Sequence, residues 1–167
     1  MKQFTRFFIM VMLSVLSTKL NAQYTLIKDS LLVINETQYG YSITNIQTKG
    51  DYERYEIRFF INNNGCTKYI TKRVNNSFSG VEENVLAEFS CINASGKRLT
   101  TKSKSLRAII WNLTITEGMS KELAGKIIPV GYIFRSGERI SGTEVFLTAK
   151  GELPIIQVNP MQIREMN

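Results

Sequence analysis

The chain has 167 residues, with 21 lysines and arginines against 14 acids, no histidine and two cysteines. The absence of histidine removes the commonest general base and metal ligand, and two cysteines cannot build a structural zinc site. A net charge of +7 is weak support for a polyanion partner, and the length fits one domain able to bury a core.

The first 23 residues have the composition of a leader. Met1-Lys2-Gln3-Phe4-Thr5-Arg6 is basic, Phe7 to Leu16 is apolar, and Asn21-Ala22-Gln23 offers a small residue at the cleavage point. That order describes a secretory signal peptide, and the apolar run is short of the about 20 residues a membrane span needs. The expectation is a cleaved signal over 1–23 and export to the periplasm or the exterior, with no transmembrane segment in the mature chain. Losing Lys2, Arg6 and Lys19 leaves 18 cations against 14 acids, or +4. Residues 24–159 are expected to form a single domain and residues 160–167 a loose tail.

Tyr24 to Ile27 and Leu31 to Ile34 are short apolar runs, and Tyr39 to Ile46 alternates before a turn at Lys49-Gly50-Asp51. Tyr52 to Ser103 reads as a four-strand antiparallel meander. Tyr55, Ile57, Phe59 and Ile61 share one side of its first strand, a period-two pattern that argues for a half-buried strand. Asn64-Gly65 is the strongest short-range signal for a type I′ hairpin, and it predicts a second strand from Cys66 to Arg73. A loop then leads to a third strand, Val85 to Ile92. Folding the second strand on the third places Cys66 opposite Cys91. In an exported chain that register predicts a disulfide, closing a loop of about 25 residues for about 3.5 kcal/mol in the chain-entropy description. Ala94-Ser95-Gly96 suits a three-residue turn with glycine in the left-handed position, and it puts Arg98, Lys102 and Lys104 on one outward face.

Beyond the meander, Arg107 to Ile115 alternates so that Ile109, Trp111, Leu113 and Ile115 face inward, with Trp111 as a core anchor. Gly118 to Gly125 is the one candidate helical turn, near 119–125. Ile127 to Phe134 resumes strand character, Ser136-Gly137 and Ser141-Gly142 read as turns, and Val145 to Ala149 and Pro154 to Val158 close the fold. About nine short strands with regular turn signals predict an all-β antiparallel β-sandwich, immunoglobulin-like in general architecture, with a β-barrel as the alternative.

Catalytic motifs are missing. There is no phosphate loop, nucleophile elbow or calcium loop; Glu82 and Glu83 are neighbours in a predicted loop, and Glu138 and Glu144 flank a turn. The feature above background is a basic run: Lys97, Arg98, Lys102, Lys104 and Arg107 lie within eleven residues that contain no acid and are interleaved with Thr and Ser. Cations beside hydroxyls suit phosphate, sulfate or carboxylate on a glycan or lipid headgroup. The bland counterpart is a charged edge strand that resists edge-to-edge pairing. The sequence therefore predicts a secreted or periplasmic, non-catalytic interaction module of the cell envelope or cell surface, without cofactor. It would bind a protein, or an anionic glycan or lipid headgroup, and not nucleic acid. The runner-up is a binder of a small amphipathic or anionic ligand, and the third reading is a glycan hydrolase using two glutamates.

Overall fold

The computed structural model describes residues 23–71, 84–99 and 103–161. Among them the chain forms eleven strands and no helix. These are β1 (Tyr24–Leu26), β2 (Leu32–Ile34), β3 (Thr37–Lys49), β4 (Tyr52–Asn63), β5 (Lys68–Thr71) and β6 (Val85–Ile92), then β7 (Lys104–Arg107), β8 (Ile109–Thr114), β9 (Ile127–Phe134), β10 (Arg139–Ala149) and β11 (Ile155–Pro160). The leader expected over 1–23 lies outside the described residues except for Gln23, and so does most of the expected tail, residues 162–167.

The strands form three antiparallel sheets rather than one closed barrel, as a β-sandwich requires. Sheet 1 has the order β1-β11-β6-β7, sheet 2 the order β10-β4-β3-β2, and sheet 3 the order β5-β9-β8. Period-two alternation sets the core. Ile57, Phe59 and Ile61 of β4, Tyr39 and Tyr41 of β3 and Phe146 of β10 face Ala87, Phe89 and Cys91 of β6 and Ile156 and Val158 of β11. Phe59 joins the two layers: its ring stacks on Phe89 at 4.9 Å and meets Phe146 edge-on at 6.0 Å. Ile70 and Phe134 bring sheet 3 into the same core.

The four-strand meander does not form. The neighbours of β4 are β3 and β10, and β5 leaves for sheet 3, where it pairs with β9. The cause lies at Asn63. Neither Asn64 nor Gly65 takes the positive φ that a type I′ turn demands. Instead the buried Asn63 side chain turns the strand out of the sheet. Its Nδ2 donates to the carbonyls of Cys66, Phe134 and Arg135 at 2.8, 3.0 and 3.0 Å, and its Oδ1 accepts from the Gly65 N–H. The turn with two positive φ angles is Asn35-Glu36, at 45° and 60°, which joins β2 to β3.

Other turns fall where expected. Gly50, Gly96 and Gly137 have positive φ at the ends of their strands. Ser141-Gly142, read as a turn, lies inside β10, which pairs with β4 without a break from Arg139↔Asn62 to Ala149↔Tyr52. The candidate helix near 119–125 is a wide β8–β9 connection. The Thr116 carbonyl accepts from the N–H groups of Met119 and Ser120, one helical turn, and Gly125 at φ 81° sits in a second turn closed by the Lys126 N–H on the Leu123 carbonyl.

The disulfide register is also overturned. Because β5 pairs with β9, Cys66 sits exposed in the corner after β4, while Cys91 faces Ile156 of β11, and the two thiols are not bonded. Burial pushes the Cys91 thiol up to about 12. The nucleophile is the thiolate, so alkylating reagent at neutral pH should modify Cys66 in the native protein and reach Cys91 only on unfolding. Finding neither thiol modified in denaturant without reductant would show a bridge after all.

Candidate interaction surface

The chain crosses between sheets at Ala108. Its N–H donates to the Asn84 carbonyl at 2.8 Å, and its carbonyl accepts from Asn84 Nδ2 at 3.5 Å. Before this buried residue the chain is β7 of sheet 1, and after it β8 of sheet 3. The crossing carries Ile109 to Thr114 off the core, and no residue of β8 is buried.

The exposed large apolar side chains concentrate on this hairpin. Ile109, Ile110, Met119, Leu123, Ile127 and Ile128 are all at least 36% exposed, as is Tyr69 on neighbouring β5. The register resolves them into two faces. Ile109, Trp111 and Leu113 of β8 share a face with Ile133 and Ile128 of β9 and Tyr69 of β5, while Ile110 lies opposite Tyr132 and Thr114 opposite Ile127 on the other face. An irregularity between Trp111 and Asn112 leaves Val130 without a register partner, a bulge at the Pro129–Gly131 stretch. The face of Tyr69 is turned from the main core, which takes Ile70 and Phe134 from the other face of the sheet; on the Tyr69 face only Ile133 and Gly131 are buried. Trp111 is therefore no core anchor. It is half-buried, and its ring leans on Tyr69 at 4.8 Å and 54°.

The basic run does not make one row. Lys97 and Arg98 are exposed, with Arg98 bridging Ile92 and donating to Ser103 Oγ at 2.8 Å. Lys102 lies outside the described residues. Lys104 is opposite the buried Phe89 and turns toward the gap between sheets 1 and 2, where its Nζ is 3.5 Å from Glu144. Gly142 makes room for it: a Cβ there would stand 2.9 Å from Lys104 Cε. Lys104 thus points inward with Leu106, against the expected outward face, and only Arg107 beyond it is exposed. The register expected from the Ala94-Ser95-Gly96 turn fails between Arg98 and Lys104: Ile92↔Arg98 and Phe89↔Lys104 differ by three residues.

The carboxylates considered for hydrolysis have structural partners. Glu138 Oε2 accepts from the Arg135 N–H within the β9–β10 turn, and Glu144 holds Lys104; Glu82 and Glu83 lie outside the described residues. Among the described residues no group of three or more His, Cys, Asp or Glu could hold a metal ion, and no helix is long and apolar enough to cross a membrane.

Alternation along Arg107 to Ile115 implies one buried face and so hides the hairpin. The signal was present in the doublets Ile109-Ile110 and Ile127-Ile128, since neighbouring apolar residues on a strand necessarily line both faces. Compared with protein-family models, curated proteins and solved structures, the chain matches none.

Proposed function

We propose that the protein is an exported, non-catalytic β-sandwich module of the cell envelope or cell surface that binds a protein through the β8–β9 hairpin. The observation that carries this reading is the face on which exposed Ile109, Ile128 and Tyr69 surround the half-buried Trp111 and Leu113. Contiguous exposed apolar surface of this kind marks interaction sites, and an aromatic anchor at its centre is the usual hot spot. The basic, apolar and small-residue order of residues 1–23 supports export.

The test places a photo-crosslinking residue at Leu113 and, as control, at Arg58, an exposed β4 position in sheet 2. Leu113 is expected to cross-link to a protein in the native envelope fraction, and Arg58 is not. Trp111→Ala should abolish that cross-link while costing about 1 kcal/mol of stability, the scale of a lost aromatic pair. A cross-link that survives Trp111→Ala together with Ile109→Ser would show that binding lies elsewhere.

A further inference from the structure

The identity of that partner can be argued further, on the reading that the hairpin is a protein-binding face. We infer that the partner is a second copy of this chain, joined along the open edge of β8 by antiparallel two-fold pairing centred on Asn112.

The first argument is an inventory of edges. Among the described residues the sheets end in β1, β7, β10, β2, β5 and β8. Strands β1 and β2 have three residues each, and the part of β3 that β2 leaves uncovered, Gly40 to Lys49, is broken by a bulge between Ile43 and Asn45 and ends in a lysine, both guards against edge pairing. Strand β7 carries Lys104 and Arg107, β5 carries Lys68, and β10 carries Arg139 and Glu144 with Lys104 lying over Gly142. Short length, charge and cover are how sheets avoid pairing at their edges. Strand β8 has none of these: its six residues, Ile109–Thr114, include no charge.

The second argument is the direction of the backbone groups. The Ile115 N–H donates to Lys126 O at 2.9 Å and its carbonyl accepts from the Gly125 N–H at 2.8 Å, so the groups of Ile115 face β9. Directions alternate along an antiparallel strand, which turns the N–H and C=O of Ile110, Asn112 and Thr114 to the open side. Ala108 belongs to the same outward set and is bonded to Asn84. The available edge therefore begins at Ile110.

The third argument selects the register. Two copies bond only if outward residues meet outward residues. Centring on Asn112 pairs Asn112 with itself and Ile110 with Thr114, and sets Trp111 across from Leu113 in the closer, non-hydrogen-bonded positions where side chains interact most. All three outward residues of the open edge are then in bonded pairs. Centring on residue 111 sets Thr114 against Ala108, already bonded to Asn84, and centring on residue 113 sets Ile110 against Thr116, past the end of β8. The two third sheets then form one six-stranded sheet whose apolar faces are continuous across the two-fold axis.

Sedimentation equilibrium of the full chain over a range of concentrations should show a monomer–dimer equilibrium. Asn112→Pro removes an outward N–H and should give a monomer with little change in melting. Thr114→Lys, which puts a charge on the open edge, should likewise raise the dissociation constant about tenfold or more. As a check independent of proline, Asn112→Cys in a Cys66→Ser background should form a disulfide-linked dimer on oxidation. Facing Cα atoms in a bonded pair are about 5.5 Å apart, within disulfide reach. A wild-type chain that stays monomeric, a dimer indifferent to these changes, or no trapping at residue 112 would overturn the inference. If the Leu113 probe then captures a different protein, the binding-face reading stands and only self-pairing falls; if it captures nothing and the chain is monomeric, both fall.

Discussion

Replacing Phe59 by alanine is expected to destabilise the protein by about 3 to 5 kcal/mol, the range for truncating a buried phenylalanine. Phe59 is 0% exposed and touches both layers of the sandwich, through Phe89 on sheet 1 and Phe146 on sheet 2. Alanine would leave a void bordered by two rings that are themselves fixed in strands, so collapse around it is limited. Denaturant unfolding followed by near-ultraviolet circular dichroism measures the loss. A change below about 0.5 kcal/mol, the scale of ordinary surface substitutions, would mean that the two sheets do not pack through this residue.

Asn63→Ala is expected to cost about 3 kcal/mol or more, although the side chain is polar and small. The carbonyls of Cys66 and Phe134 and the Gly65 N–H are bonded by one amide, which also shares the Arg135 carbonyl with the Glu138 N–H. Removing it strands groups around a site that is 0% exposed, and each unsatisfied buried group costs about 1 to 3 kcal/mol. Asn63→Asp should be worse still, because a carboxylate would face the same three carbonyl oxygens with no proton to give. Equilibrium unfolding of both variants checks the order, and an aspartate variant as stable as the parent would refute this account of the corner.

These two residues also show where sequence reading works and where it stops. The alternation through Tyr55, Ile57, Phe59 and Ile61 identified the buried side of β4 correctly, because which face a side chain occupies depends only on the pleat. Strand β6 and strand β9 were bounded to the residue for the same reason. Pairing was not legible. Asn64-Gly65 carries the local chemistry of a hairpin turn, yet Asn63 finds bonding partners in Phe134 and Arg135, 71 and 72 residues away. Local propensity gives way to a buried amide satisfied from another sheet. The expected disulfide fell with that pairing, while the outward placement of Lys104 fell to a separate register change between Arg98 and Lys104. At the hairpin, the doublets Ile109-Ile110 and Ile127-Ile128 were visible, but nothing local shows that Ala108 carries the following strand away from the core.

The pairing of β1 with β11 has a consequence in time. Tyr24 lies opposite Val158 and Leu26 opposite Ile156, so the first strand is held by the last, and β11 also separates β1 from β6. Until residues 155–160 are present, β1 has no neighbour and one side of β6 is bare. Contacts between such distant residues are the slow ones to form, placing all-β domains in the range of about milliseconds to seconds. A growing or translocating chain would thus remain open along sheet 1 until its final strand arrives, and deleting that strand should stall folding rather than trim an end.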